Sequence, residues 1–173
     1  MENLPYKSLL EPILGNLLLD FGGTVMTRAT QTNRSVFKTK SNALVAPVIC
    51  YESMYGEFMT DYVRNGAQLI AIITNDGWWG NSPGHKQLLS YSRLRSIELR
   101  RSIVRSANTG ISAVINEKGD IINSIEYEKN GIINDKISIS NKLTFYAKYG
   151  DFISRISLFF FIIIFLFYFA KKK

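Results

Sequence analysis

Cys50 is the sole cysteine of the 173-residue chain, and it stands where a nucleophile could work. It closes the apolar run ALVAPVIC (residues 43–50), which reads as a buried strand, although Pro47 weakens that reading. It then leads through Tyr51 and Glu52 into a helical pattern over residues 55–65, with Phe58, Met59 and Tyr62 on one face and Gly66 as the stop. A cysteine between a strand and a helix resembles a nucleophile elbow: a sharp turn exposes the side chain, nearby backbone N–H groups can hold an oxyanion, and helix-terminal N–H groups favour the thiolate. The competing reading is an inert thiol in an apolar strand. Glu52 can orient groups around the nucleophile, or it can be a helix N-terminal acid favoured by the dipole. The single histidine, His85, reads as a helix-start polar residue rather than a catalytic one.

These counts limit the chemistry. One cysteine excludes an intrachain disulfide framework and a multi-cysteine metal site, and one histidine argues against a His-based zinc or di-iron cluster. A Cys–His dyad would need Cys50 and His85 themselves.

The elements that must position Cys50 are short. Leu69–Thr74 (LIAIIT) reads as a second buried strand, and residues 75–84 (NDGWWGNSPG) as a loop. Helical spacing is expected over residues 85–105, with Leu88, Tyr91, Ser92, Arg95 and Leu99 on one face and Arg93, Arg100 and Arg101 on a solvated or phosphate-facing side. Residues 106–110 read as a turn, with Arg105 and Asn108 stabilising it. Residues 111–116 and 120–125 read as two strands joined by a Gly/Asp hairpin turn, and residues 132–139 as a further strand. Residues 1–40 are poorly patterned, with Pro5 and Pro12 breaking any long helix. Alternating strands and helices argue for an α/β layered domain, whose ligands bind beyond the carboxyl ends of parallel strands. Cys50 and the Asn75–Asp76 pair would share that edge.

A hydrophobic content of 46% with 13% aromatics excludes global disorder, and the length suits one domain. The formal charge of +7 is partly a tail effect, because residues 152–173 hold Arg155, Lys171, Lys172 and Lys173 and no acid. That pattern reads as flanks of a membrane segment rather than as nucleic-acid binding. Residues 152–170 are long and apolar enough to span a bilayer if Arg155 snorkels. The basic residues 171–173 then place that end in the cytoplasm and the preceding domain, residues 1–151, on the periplasmic side of a bacterial inner membrane.

Several segments together carry a resemblance. They are VAPVICYESMYG (45–56), ITNDGWWG (73–80), SPGHKQLLSYSRLRSIELRRSIVR (82–105) and SANTGIS (106–112), with Glu2-Asn3-Leu4-Pro5 at the start and YAKYGD (146–151) before the apolar segment. This combination resembles the carbon–nitrogen hydrolase (nitrilase) superfamily, and within it the family of apolipoprotein N-acyltransferases. The resemblance implies an αββα sandwich, of which this chain would form the second half, followed by one transmembrane helix. It implies a Glu–Lys–Cys triad and a thioester route. An acyl chain would pass from a phospholipid donor to Cys50, and then to the N-terminal amine of the diacylglyceryl-cysteine of an apolipoprotein, with no metal or dissociable cofactor. Cys50 matches the nucleophile, Tyr51 and Glu52 its companions, and Glu2 a second acidic residue of the site. Trp78 and Trp79 match an aromatic loop at the acyl-chain entrance, where amphipathic rings suit a membrane interface; two loop aromatics capping the core are the alternative.

The family's general-base glutamate and catalytic lysine lie upstream of the motif that Glu2–Pro5 resembles. The expectation is therefore a chain that needs an N-terminal partner for activity, with a split gene, a truncated product or a mis-started reading frame as possible origins. A membrane-anchored amidase and a non-catalytic anchored subunit are the rival readings.

Overall fold

The computed structural model describes residues 31–171. The chain divides into two units, Met1–Asn33 and Arg34–Lys173, and the strands and helices among the described residues all lie in the second.

Apolar runs of strand length build the sheet centre. Leu44–Ile49 (β2), Leu69–Thr74 (β3) and Ser102–Ala107 (β4) pair in parallel. Phe37–Lys38 (β1) joins β2 antiparallel, and Ser112–Ile115 (β5) and Ile121–Ile125 (β6) extend the other side antiparallel, giving the order β1-β2-β3-β4-β5-β6. Pro47 is accommodated because β1 opposes only Leu44 and Val45, so β2 behaves as an edge strand further along.

The helices follow from local signals. Gly56–Arg64 (α1) buries Met59, Tyr62 and Val63 and ends before Gly66, whose φ of +94° suits only glycine well. Pro83–Leu99 (α2) starts with Pro83 in its first turn and the Ser82 hydroxyl accepting from the Gly84 N–H at 3.3 Å. Both crossovers place their apolar stripes on one face of the sheet. Met59, Val63, Leu89 and Leu99 meet Ala46, Val48, Ile70, Ile72, Ile103 and Ile115 there in one core. The register puts Ala46, Ile70, Ile103 and Ile115 in one row across four strands. The opposite sheet face is also apolar (Pro47, Ala71, Val104 and Val114 form a row), with Ile49 and Ile73 more than 60% exposed. A sheet apolar on both faces is what a second layer demands, so one α layer and one β layer of the expected sandwich are present among the described residues.

Several expectations are corrected. The helix expected to reach residue 105 stops at Leu99, because Arg100 turns left-handed (φ +49°) and β4 begins at Ser102. The following turn therefore begins after Ala107 rather than at Ser106. Residues 132–139 form no strand: Ile132 is 96% exposed, and the segment is tied to the sheet end by the Ser102 hydroxyl donating to the Ser138 carbonyl at 2.8 Å. Nor are the arginines a uniform solvated face. Arg101 is buried and donates to the carbonyls of Ala67, Leu99, Arg100 and Lys142. Arg93 and Arg100 are exposed yet reach the carbonyls of Gly119 and Glu117.

Two further helices close the chain. Phe145–Tyr149 (α3) is capped by Thr144, whose hydroxyl accepts from the Ala147 N–H and donates to the Glu98 carbonyl. Phe152–Lys171 (α4) contains an 18-residue stretch, Phe152–Phe169, of mean hydropathy 2.3 with none of it buried, long and apolar enough to cross a membrane.

The α1, α2 and α3 helices meet at a polar knot. Arg95 pairs with Glu98 at 2.8 Å, and a Cβ on Gly56 would lie 1.8 Å from the Arg95 guanidinium and 2.3 Å from the Tyr146 hydroxyl. Burial pushes the Glu98 carboxyl up, with Arg95 opposing. Gly56→Ala is expected to displace this nearly buried guanidinium and cost about 1–3 kcal/mol, read as a lower unfolding midpoint of the full chain in detergent micelles. An unchanged midpoint would mean that the knot yields freely.

Candidate active site

Parallel pairing brings three strand ends to one edge. Ile49 pairs with Ile73 and Thr74 with Ala107, so Cys50, the Asn75–Asp76 pair and Asn108 all leave the sheet together. The edge shared by Cys50 and Asn75–Asp76 is therefore as expected.

Cys50 opens a 3₁₀ turn, Cys50–Met54, directly after β2, with φ at +51°. A non-glycine residue in the left-handed region costs of order 1–2 kcal/mol and persists only where its surroundings hold it. Two bonds do so here: the Glu52 carboxylate accepts from the Ile49 N–H at 2.8 Å, and the Ser53 hydroxyl donates to the Cys50 carbonyl at 2.8 Å. Glu52 thus clamps the turn that presents the thiol, which is half-buried. Tyr51 is 46% exposed; partial burial, then the negative charges available at Cys50 and Asp76, hold its hydroxyl above the ordinary tyrosine range.

Below this turn lies a buried ion pair. Arg105 donates to Asp76 at 2.6 Å and to the Ile111 carbonyl at 2.6 Å, and the Thr74 hydroxyl donates to the other Asp76 oxygen at 2.7 Å. The pair is almost completely excluded from solvent. Arg105 does stabilise the turn after β4, and it also locks the loop after β3 to it; the Asn108 N–H completes the lock at the Thr74 carbonyl, 3.0 Å away. Gly110 is required here, since a Cβ would sit 2.3 Å from Asp76 Oδ2.

The expected loop over residues 75–84 is largely that, with a short 3₁₀ turn at Gly77–Trp79 and α2 beginning at Pro83. The Asn75 side chain accepts from the Gly77 N–H at 3.1 Å, and Trp78 projects 80% exposed. Trp79 lies in the same turn. His85 sits in the first turn of α2, as expected, and is buried there with its ring 4.6 Å from that of Tyr127. Glu2 lies outside the described residues.

The site thus gathers Cys50, Tyr51, Glu52 and the Trp78 loop at one edge. The buried pairing of Asp76 with Arg105 was not anticipated; its signal is an acid two residues beyond one apolar strand and a lone arginine inside the next. No group of three or more His, Cys, Asp or Glu side chains that could hold a metal ion occurs among the described residues. Chemically, the arrangement offers a thiol on a strained, clamped turn.

Comparison with known proteins gives this site a family. The chain is 34% identical over 150 residues to the apolipoprotein N-acyltransferase of Shewanella oneidensis, covering 87% of this chain and 28% of that protein. It is 37% identical over 151 residues to the apolipoprotein N-acyltransferase of Bradyrhizobium diazoefficiens, covering 87% and 27%. The chain therefore spans less than a third of the length of these curated relatives. Among solved structures, an amidase from Nesterenkonia sp. matches with 16% identity and a TM-score of 0.49, over 58% of this chain and 40% of that one. The family pattern of the carbon-nitrogen hydrolases matches residues 8–141, more than half of the chain, and the chain belongs to that family.

Proposed function

We propose that this chain carries the nucleophile of a lipoprotein N-acyltransferase. The observation that carries the reading is the left-handed Cys50 at the carboxyl end of β2, clamped by Glu52, in a chain whose relatives bear that name. In this reading the Cys50 thiolate attacks the ester carbonyl of a phospholipid. The carbonyl π electrons move to oxygen, then return as the ester C–O bond breaks, and the departing alkoxide takes a proton to leave a lysophospholipid. The acyl group is now a thioester on Cys50. The free amine of a diacylglyceryl-cysteine peptide attacks this thioester, loses a proton, and leaves as an amide while Cys50 regains the thiolate. The base that first takes the thiol proton and the cation that holds the oxyanion are a glutamate and a lysine contributed from outside the described residues, as in the triad that the family resemblance implies.

In the same reading Glu52 acts through the turn, Tyr51 lines the approach to the thiol, and Glu2 supports the site as a second acid. Trp78 and Trp79 mark the acyl-chain entrance. Phe152–Phe169 spans the inner membrane, with the domain periplasmic and Lys171 at the cytoplasmic end. The membrane, the phospholipid and the apolipoprotein are the partners, together with the N-terminal segment or partner chain that supplies the glutamate and the lysine of the triad.

The test incubates the membrane-extracted chain, alone and with a co-expressed N-terminal segment, with phosphatidylethanolamine and a synthetic diacylglyceryl-cysteine peptide. N-acylated peptide is the expected product. Hydrolysis of small amides with no peptide acylation would support the amidase reading instead.

A further inference from the structure

The α3 helix is short and two-sided. One side belongs to the domain: Ala147 is fully buried, Tyr146 packs on the core, and the Arg64 guanidinium donates to the Ala147 carbonyl at 2.7 Å. The other side is aromatic and open. Phe145 is 60% exposed and Tyr149 55%, with their rings 4.5 Å apart. Phe145 also meets Phe152, the first residue of α4, edge-on at 5.1 Å. Leu143 and Ile153 add exposed apolar surface on either side of this cluster. Lys142 and Lys148 are exposed close by. The nearby acid, Asp151, accepts from the Ser154 hydroxyl and N–H and so caps α4. Arg155, in the first turn of α4, pairs with Glu57 of α1.

We propose that this exposed face of α3 lies in the headgroup layer of the phospholipid bilayer, forming with Phe152 an aromatic collar that seats the domain on the membrane surface. The inference rests on the reading of α4 as a membrane span. Its occupant is set by continuity: the aromatic cluster runs without a break into a helix apolar on every side, so the surface that surrounds α4 also reaches α3. Aromatic rings with one wet and one dry side collect at that depth, and lysines beside them can reach lipid phosphates. A helix lying in the interface plane buries such a face in the headgroup and acyl boundary. The Arg155–Glu57 pair and the buried side of α3 make the mounting rigid, because both grip α1 or its neighbours. Since α1 follows the Cys50 turn after a single residue, the collar sets the height of the thiol edge above the lipid.

The experiment uses spin labels on the full chain in vesicles of phosphatidylethanolamine and phosphatidylglycerol. Single cysteines are introduced as Phe145→Cys, Tyr149→Cys and Ile162→Cys in a Cys50→Ser background. Both collar positions are exposed, so the labels leave the core intact. Collision with oxygen, which favours lipid, is compared with collision with a water-soluble nickel chelate. The expected result is strong oxygen dominance at position 162 and weaker oxygen dominance at 145 and 149. Nickel dominance at 145 and 149, matching a free label in water while 162 stays oxygen-dominated, would overturn the collar alone. Nickel dominance at all three positions would overturn the membrane-span reading and the collar with it.

Discussion

Arg105→Met is expected to destabilise the domain by about 3–5 kcal/mol, because it leaves the Asp76 carboxylate buried with only the Thr74 hydroxyl. The side chain stands in the row Val48–Ile72–Arg105–Ala113, where the core otherwise asks for an apolar residue. Its charge is tolerated because Asp76 meets it at 2.6 Å and the Ile111 carbonyl takes a second N–H. Removing both charges together, as Asp76→Leu with Arg105→Met, is expected to recover most of the loss, since a buried pair is often replaceable by apolar groups of similar size. The measurement is a denaturant-unfolding midpoint of the full chain in detergent micelles, for the single and the double variant. A single variant as stable as the parent would show that the pair does not hold the two loops together. Hydrogen exchange adds a local reading: amides of residues 75–80 and 108–111 are expected to lose protection first, because the pair is what joins them.

Cys50→Gly is expected to separate folding from chemistry. Glycine adopts the observed φ without the penalty of about 1–2 kcal/mol that a side chain meets there, and its greater freedom in the unfolded chain returns about 0.5–1 kcal/mol of that gain. The expected net effect is a stability equal to the parent or higher by roughly 0.5–1 kcal/mol. Cys50→Ala, which keeps a Cβ, is expected to gain nothing. Under the proposed function, both variants are expected to lose acyl transfer by the covalent route, a fall on the order of 10⁴–10⁶. Thermal unfolding of the three proteins side by side reads the first effect. A glycine variant clearly less stable than the alanine variant would mean that the turn is not strained at Cys50. A protein that keeps a strained residue at the expense of stability, where an unstrained one would fold better, does so for what the side chain does.

Much of this was legible in the residues. The apolar runs at 44–49 and 69–74 could only be buried strands once helices followed them, and their parallel pairing carried Cys50 and Asp76 to one edge. The hairpin between β5 and β6 was visible through Gly119 and Asp120, and Gly119 does turn there with φ +87°; the Asn116 side chain, which accepts from two backbone N–H groups of the turn, was not singled out. What escaped was set by tertiary contact. Arg100 ends α2 in a left-handed conformation, which no rule of composition assigns to arginine, so the helix reads on into β4. Residues 132–139 alternate like a strand, but the sheet already ends in β6 and their hydroxyls and carbonyls serve as ties instead. Arg101 looks like a solvated charge in sequence; it is buried because the carbonyls of Ala67 and Lys142, distant in the chain, converge on it. The role of Glu52 stood between two alternatives, and its bond to the Ile49 N–H makes it a clamp on the turn.

Whether Cys50 accepts an acyl chain decides the proposed function. Intact-mass spectrometry of the membrane-extracted protein, incubated with phosphatidylethanolamine alone and with a co-expressed segment carrying the proposed glutamate and lysine, reads this without an intermediary. A mass increase of one fatty acyl group is expected, one that hydroxylamine removes and that Cys50→Ala abolishes. An acyl adduct that survives Cys50→Ala, or a folded and assembled sample that takes up no acyl group, would refute acyl transfer through Cys50.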